Sequence, residues 1–370
     1  MEKLTKKQRI INTFEFKELD KIAVYDKIHN LKLIEYVSGR KITSKNAENV
    51  TCECIGKLCD MVRCLAIPYN VEEFEEKDKD GFIYKVSWYT KEIVERPFKN
   101  ENEAKEQVKK DIFKIKDAIE NKKFCSQGNF NVRLFGEDLE SPEVLNYEFK
   151  RIQDKMDGTI MMAPEFFDGI GPLTTRYNYD MFFYLYKDYP ELIGELLDVH
   201  IDYQLFRIES FNSALTPVAT LSSVIAGTKS LIFSPNFIRK EVIPRMQKLY
   251  DNLNKKGYLI ILELHGDISV VFNELVGMGV QAYGPIENLS NKSIEEIKMK
   301  YPKLILMQMI DSSHLLPFGT SEEIVSETKK VIDLAKKYGG IFIGSTSDIH
   351  EKVSIKNALA MYETARNYNL

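Results

Sequence analysis

Glu263-Leu264-His265-Gly266-Asp267 sets three metal-competent side chains at alternate positions. Side chains alternate along a strand, so Glu263, His265 and Asp267 can share one face. Imidazole with carboxylates suits zinc or another divalent ion. The competing reading is a histidine satisfied by hydrogen bonds, with Asp267 capping the next helix. Glu165 and Asp168 form a second carboxylate pair beside Phe166 and Phe167. Asp26, Tyr283, Glu287, Asp311, Ser345, Ser347, Asp348 and His350 each follow a short apolar run. Cys52, Cys54, Cys59 and Cys64 also cluster, but residues 52–59 read as helix, where i and i+2 point apart. Their spacing lacks the C-x-x-C pairs of structural zinc sites, so buried free thiols are expected.

These residues need elements to position them. In the second half, apolar strand-like runs alternate with helical patterns. The runs are 158–163, 218–221, 258–264 (YLIILEL), 280–283, 304–310 (LILMQMI) and 341–344. Helical patterns occupy 178–211, 235–254, 268–278, 293–300, 321–337 and 353–367. The Tyr/Phe-rich run 177–189 reads as core packing, with the roof of an apolar pocket as the alternative. Strands alternating with helices of this length imply βαβ units and a parallel sheet. No Gly-rich phosphate loop follows the first strand, which favours a closed (β/α)8 TIM barrel over a dinucleotide fold. In such a barrel reactive groups gather at the C-terminal strand ends, where the residues named above would sit.

The first half is less regular. Residues 21–25 read as the first barrel strand and 61–67 as another. Residues 102–122 read as a charged helix. Residues 80–95 read as a β-hairpin inserted on the barrel around an Asp80-Gly81 turn. Residues 1–370 form one domain on this reading, with 1–20 as an N-terminal helical extension.

Fifty-one Lys and Arg against 55 Asp and Glu give a net charge of −4, which argues against general nucleic-acid affinity. No uncharged apolar window is long enough to span a membrane. Residues 1–20 lack the apolar segment of a signal peptide, and five cysteines give no paired framework. A cytoplasmic location is expected.

Several segments, in order, resemble the uroporphyrinogen decarboxylase superfamily, which includes corrinoid-dependent methyltransferases. They are Lys6 to Asp26 (KKQRIINTFEFKELDKIAVYD), Tyr189-Pro190-Glu191, Phe233-Ser234-Pro235, the strand into His265-Gly266, Asp311 to Glu323 (DSSHLLPFGTSEE) and Asn357 to Tyr368 (NALAMYETARNY). The resemblance covers essentially the whole chain and implies a single barrel of the uroporphyrinogen decarboxylase type. Decarboxylases of that family grip their substrate with an N-terminal Arg-rich motif; here Asp26-Lys27-Ile28-His29-Asn30 has no arginine pair. Methyltransferases of the family often bind zinc through His-x-Cys and a later Cys. His265 matches the histidine, but Asp267 and then Ser345 and Ser347 stand where the cysteines would be.

The resemblance therefore implies a methyltransferase acting between a small methylated substrate (ether, alcohol or amine) and the cobalt of a corrinoid carried by a partner protein. If zinc is held, His265 binds it, with Asp267 and Glu263 as partners. Asp26, Asp311 and Tyr283 are the expected catalytic residues. Glu165, Phe166, Phe167, Glu287 and Ser345 are expected to bind substrate. Phe166, Phe167 and Tyr283 are expected near the rim of an open mouth on which the partner docks. The alternatives are a metal-free decarboxylase of a porphyrinogen or related acid, using Asp26, and a non-catalytic barrel that binds a corrinoid protein. The resemblance also admits a homodimer.

Overall fold

Several helices start where the sequence supplies a cap. Thr5 opens Lys6–Phe14 and Thr320 opens Ser321–Tyr338, each with a reciprocal capping box completed three residues on by Gln8 and Glu323. Such a cap contributes about 1 kcal/mol. Ser321–Tyr338 buries Ile324, Thr328, Val331, Ile332 and Ala335, a stripe at helical spacing, and packs on Ile355–Asn367. Each fully buried aliphatic side chain of that stripe contributes roughly 2 kcal/mol. The expected helix over 178–211 is two, Tyr179–Asp188 and Pro190–Ser210. Pro190 lacks an N–H and disfavours helical backbone at Tyr189, so the pattern breaks there. On the first of the two, Phe182 and Leu185 pack inside while Phe183 and Tyr184 stay exposed.

The computed structural model describes residues 3–63, 65–124, 141–286, 294–368 and 370. It is an α/β protein with parallel sheets. One sheet runs Phe342–Ile343, Ala23–Asp26, Met61–Val62 and Ile160–Met161 in spatial order. The other runs Ile305–Leu306, Ala282–Gly284, Leu259–Leu264, Val218–Ser223 and the short Phe166–Phe167 strand. All pairings within these two sheets are parallel. Hydrogen bonds cross both seams. Ala163 donates to the Val218 carbonyl (2.8 Å), and Leu306 bridges Ile341 in parallel. The arrangement is TIM-like.

Tyr25, Met61, Met162, Ile261, Met307 and Phe342 belong to an inner apolar cluster. A larger cluster includes Val24, Val62, Leu262 and Ile343, the alternate residues on the same strands, and packs between strands and helices. The N-terminal helix is tied to this frame by Arg9, which pairs with Asp20 (2.9 Å) and Asp60 (2.6 Å). Among the described residues no helix is long and apolar enough to cross a membrane.

The expected hairpin over 80–95 is larger, an antiparallel three-stranded sheet of Phe74–Lys77, Ile83–Val86 and Lys91–Glu95. The Asp80-Gly81 turn joins its first two strands. Asp78 Oδ1 accepts from the Asp80 and Phe82 amides (both 2.9 Å), which fixes that turn. The loop after Val86 carries Trp88 and Tyr89 onto His29. The His29 ring stacks on Tyr89 (4.8 Å) and meets Trp88 edge-on (5.9 Å).

Candidate active site

Strand alternation decides which side chains enter the ring. Tyr25, Met61 and Ile261 lie in the inner cluster, so Lys27, Arg63 and Glu263, two residues further on, continue inward at the C-terminal end. These three meet. Lys27 Nζ donates to Glu263 Oε1 (3.3 Å) and Tyr25 Oη donates to Oε2 (3.4 Å). Arg63 Nη1 lies 2.5 Å from Glu263 Oε2 and donates to Glu165 Oε1 (2.8 Å) and Ser222 Oγ (3.3 Å). Two cations thus face two carboxylates in a buried cluster. Burial alone would raise the Glu263 pKa. Arg63 and Lys27 outweigh it and hold the carboxyl well below the usual carboxylate range.

His265 Nε2 lies 3.3 Å from Glu263 Oε1. The His265 side chain is 39% exposed and that of Glu263 only 2%, so the imidazole is the solvent-facing end of the pair. Asp267 does not join them. Gly266 takes φ +85°, which ends the alternation; a Cβ there would lie 2.3 Å from the Gly227 carbonyl oxygen. Asp267 then turns its Oδ1 to the Ser269 amide (3.0 Å) in a local turn; it does not cap the next helix, which starts at Phe272 after Val271. Among the described residues no three His, Cys, Asp or Glu side chains converge as a metal site. Glu263 is already held by two cations, so this donor set does not fit zinc. The expected site of His265, Asp267 and Glu263 is corrected to a His265–Glu263 pair.

Other expected residues face elsewhere. Asp26 alternates outward: its carboxylate accepts from Ser345 Oγ (2.5 Å), Ser345 N (3.2 Å), Lys27 N (2.9 Å) and Tyr362 Oη (2.9 Å). Burial pushes its pKa up to about 6 against those donors. Asp26 and Ser345 therefore join the ring to the Ile355–Asn367 helix. Tyr283 also points outward, edge-on to Phe272 (5.2 Å). Phe166 is buried beneath the Arg207 guanidinium, whereas Phe167 is half-buried. The rim expectation thus fails for Tyr283 and Phe166, because alternation sends both into the outer apolar layer. Asp311 sits on a surface loop, accepting from the His314 (2.5 Å) and Leu315 (3.2 Å) amides, and its side chain is half exposed. Glu165 is in the cluster. Asp168 is not; it accepts from Ser223 Oγ (2.5 Å), and burial raises its pKa to about 7. Glu287, Cys64 and Cys125 lie outside the described residues. Cys52, Cys54 and Cys59 are buried free thiols.

Sequence reasoning missed Lys27 and Arg63. The signal for Lys27 was its i+2 relation to Tyr25. Arg63 follows a strand of only two residues, too short to show a period. His29 extends the Tyr25-x-Lys27 ladder by one step, and its Nδ1 lies 3.0 Å from Asp348 Oδ2.

No protein-family model matches the chain, and no curated protein matches it. Among solved structures, a methyltransferase from Methanosarcina mazei is similar, with a TM-score of 0.64 at 14% identity. The alignment covers 99% of this chain and 99% of that one. At that identity the likeness shows a shared fold along the whole chain.

Proposed function

We propose that this chain is a methyltransferase that moves a methyl group from a small methylated substrate to the cobalt of a corrinoid carried by a partner protein. On this reading the ring is a closed (β/α)8 barrel of the uroporphyrinogen decarboxylase type. The observation that carries the reading is the His265–Glu263 pair. It stands at the strand ends on a base of buried ion pairs, in a fold shared over its full length with a methyltransferase.

When docked, a reduced corrinoid supplies the electron pair that forms the new bond to the methyl carbon. This chain handles the other half of the reaction. As the bond from carbon to oxygen or nitrogen breaks, its electrons stay on the heteroatom, which needs a proton. His265 donates that proton. Glu263, kept ionised by Arg63 and Lys27, accepts from His265 Nε2–H, orients the ring and stabilises its cationic form. No step is routed through zinc.

The decarboxylase alternative needs the Asp26 carboxylate inside the ring, whereas it points to Ser345 and Tyr362. The deciding experiment mixes the purified chain with reduced corrinoid protein and a panel of methoxylated and methylated donors. Cobalt absorbance reads the transfer. His265→Ala should lower the rate by about 10²-fold or more with the melting temperature unchanged. Full activity in that variant, or no transfer from any donor, defeats the reading.

A further inference from the structure

Trp88 and Tyr89 are the two central residues of the tight turn between the Ile83–Val86 and Lys91–Glu95 strands. Ser87 N donates to the Thr90 carbonyl (2.9 Å), and Ser87 Oγ accepts from Thr90 N (3.0 Å). Turns of this size are normally made by Gly, Asn, Asp or Ser, which suit the backbone and stand in water without penalty. Two large aromatic rings at the tip are explained by what the tip meets. It meets His29: the imidazole lies 4.8 Å from the Tyr89 ring at 25°, and 5.9 Å from the Trp88 ring at 84°. The sheet behind the tip is anchored. Arg96 donates to the carbonyls of Thr175 (2.7 Å) and Arg176 (2.9 Å), and Lys114 of the Glu101–Glu120 helix pairs with Asp80. The two rings therefore form a fixed wall beside the strand ends.

His29 covers one face of the Tyr89 ring, yet the residue remains 38% exposed. The groups around it are negative. Burial raises the Tyr89 pKa, and the carboxylates of Asp348, Glu351, Glu92 and Glu73 raise it further. Asp348 Oδ2 lies 3.0 Å from His29 Nδ1, so the stacked imidazole ties this carboxylate to the aromatic pair. Two cations act on these carboxylates, and both have partners. Lys85 pairs with Glu73 (2.7 Å), and Lys27 is buried against Glu263 (3.3 Å). The face of an aromatic ring is itself electron-rich, so ring and carboxylates favour the same kind of ligand, a cation. A metal ion holds its water and gains little from the ring. A methylated ammonium is weakly hydrated, and its positively polarised methyl groups can lie directly on an aromatic face.

We propose that the Trp88-Tyr89 turn and Asp348 form a binding site for a small organic ammonium ion carrying N-methyl groups. The methylated nitrogen rests on the exposed side of Tyr89, and Asp348 supplies the counter-charge. This site goes beyond the methyl-transfer reading, and binding there needs no corrinoid.

Choline and 3,3-dimethylbutan-1-ol have the same shape, but the second has carbon in place of the charged nitrogen. Ligand-observed NMR titration of the full chain reads the affinity of each, with tetramethylammonium and potassium as competitors. Choline should bind about tenfold more tightly than its neutral twin. Tetramethylammonium should displace it, and potassium at the same concentration should not. Tyr89→Leu should weaken choline about fivefold and leave the melting temperature within about 1 °C, because the ring is exposed at a turn. Tyr89→Phe keeps the aromatic face and should bind choline as the parent does. Glu92→Gln, on the exposed surface of the sheet, should weaken choline about twofold and leave the neutral twin unchanged. Equal binding of the twins, no binding of choline, or an unchanged choline affinity in Tyr89→Leu each overturns the proposal. Displacement by potassium as readily as by tetramethylammonium overturns it too, since the carboxylates alone would then be the site. Choline binding by a chain that moves no methyl group leaves this site standing and defeats the methyl-transfer reading alone.

Discussion

Arg63 Nη1 lies 2.8 Å from Glu165 and 2.5 Å from Glu263, so one guanidinium nitrogen serves carboxylates from two different strand ends. Both carboxylates are buried, and removing their shared cation leaves uncompensated negative charge in a poorly solvated place. Arg63→Met should destabilise the fold by about 3 kcal/mol in chemical denaturation. Adding Glu263→Gln to that variant should recover part of the loss, because the cluster then loses one negative charge along with the positive one. Additive losses would show that the two groups are not coupled.

Asp26 has four donors converging on it, and Tyr362 brings one of them from the Ile355–Asn367 helix. Tyr362→Phe should cost about 1.5–3 kcal/mol of stability, the value of a hydrogen bond to a charged acceptor. Steady-state methyl transfer should keep its kcat. A fall in kcat at equal stability would return Asp26 to the reaction.

Asp26 and Asp168 both bind a proton more tightly folded than unfolded, at about 6 and about 7 against 3.8. The stability they contribute is therefore fully present below about pH 3.8 and lost as pH rises through 6 to 7. Glu263 acts oppositely, since its carboxyl is held low; its contribution is present at neutral pH and fades on strong acidification. Buried His200 opposes them below about pH 6.5, because burial lowers its pKa from 6.5 to about 3 and its contribution to stability grows as pH rises toward 6.5. Melting scans should show Asp168→Asn losing less stability than the parent between about pH 5 and 8. An equal loss would mean that Asp168 does not titrate there.

Phe318 is 76% exposed on the short Leu315–Phe318 helix, directly after the Asp311 loop. An exposed aromatic beside the strand ends suits a partner that docks and leaves, through a modest and partly polar interface. Phe318→Asp should reduce transfer from a corrinoid protein several-fold and leave the melting temperature within about 1 °C. Unimpaired transfer would place the docking face elsewhere.

The pattern of alternating strands and helices was legible because buried parallel strands read as apolar runs, YLIILEL above all. The site was legible only in part, and alternation explains why. Taking the residue directly after a strand selects Asp26 and Tyr283, and both belong to the outer face. The inward ladder is Tyr25-x-Lys27-x-His29, five consecutive residues that include Asp26 but that no single-residue rule selects. His265 and Glu263 were found because their strand is six residues long, enough to fix a face. Asp267 was misplaced because Gly266 at positive φ resets the count, and a backbone dihedral leaves little trace in spacing. Gln308, at φ +54°, likewise shortens the expected 304–310 strand to Ile305–Leu306.

The three-stranded sheet sets Trp88 edge-on against His29, one step above Lys27 on the inward ladder. Trp88 is the single tryptophan in the chain. Native fluorescence excited at the red edge of the spectrum therefore arises at one point beside the strand ends. Imidazolium quenches indole, and water exposure shifts its emission. Arrival of a ligand and seating of a partner at that end thus share one optical signal, which stopped-flow mixing can follow on an unlabelled protein.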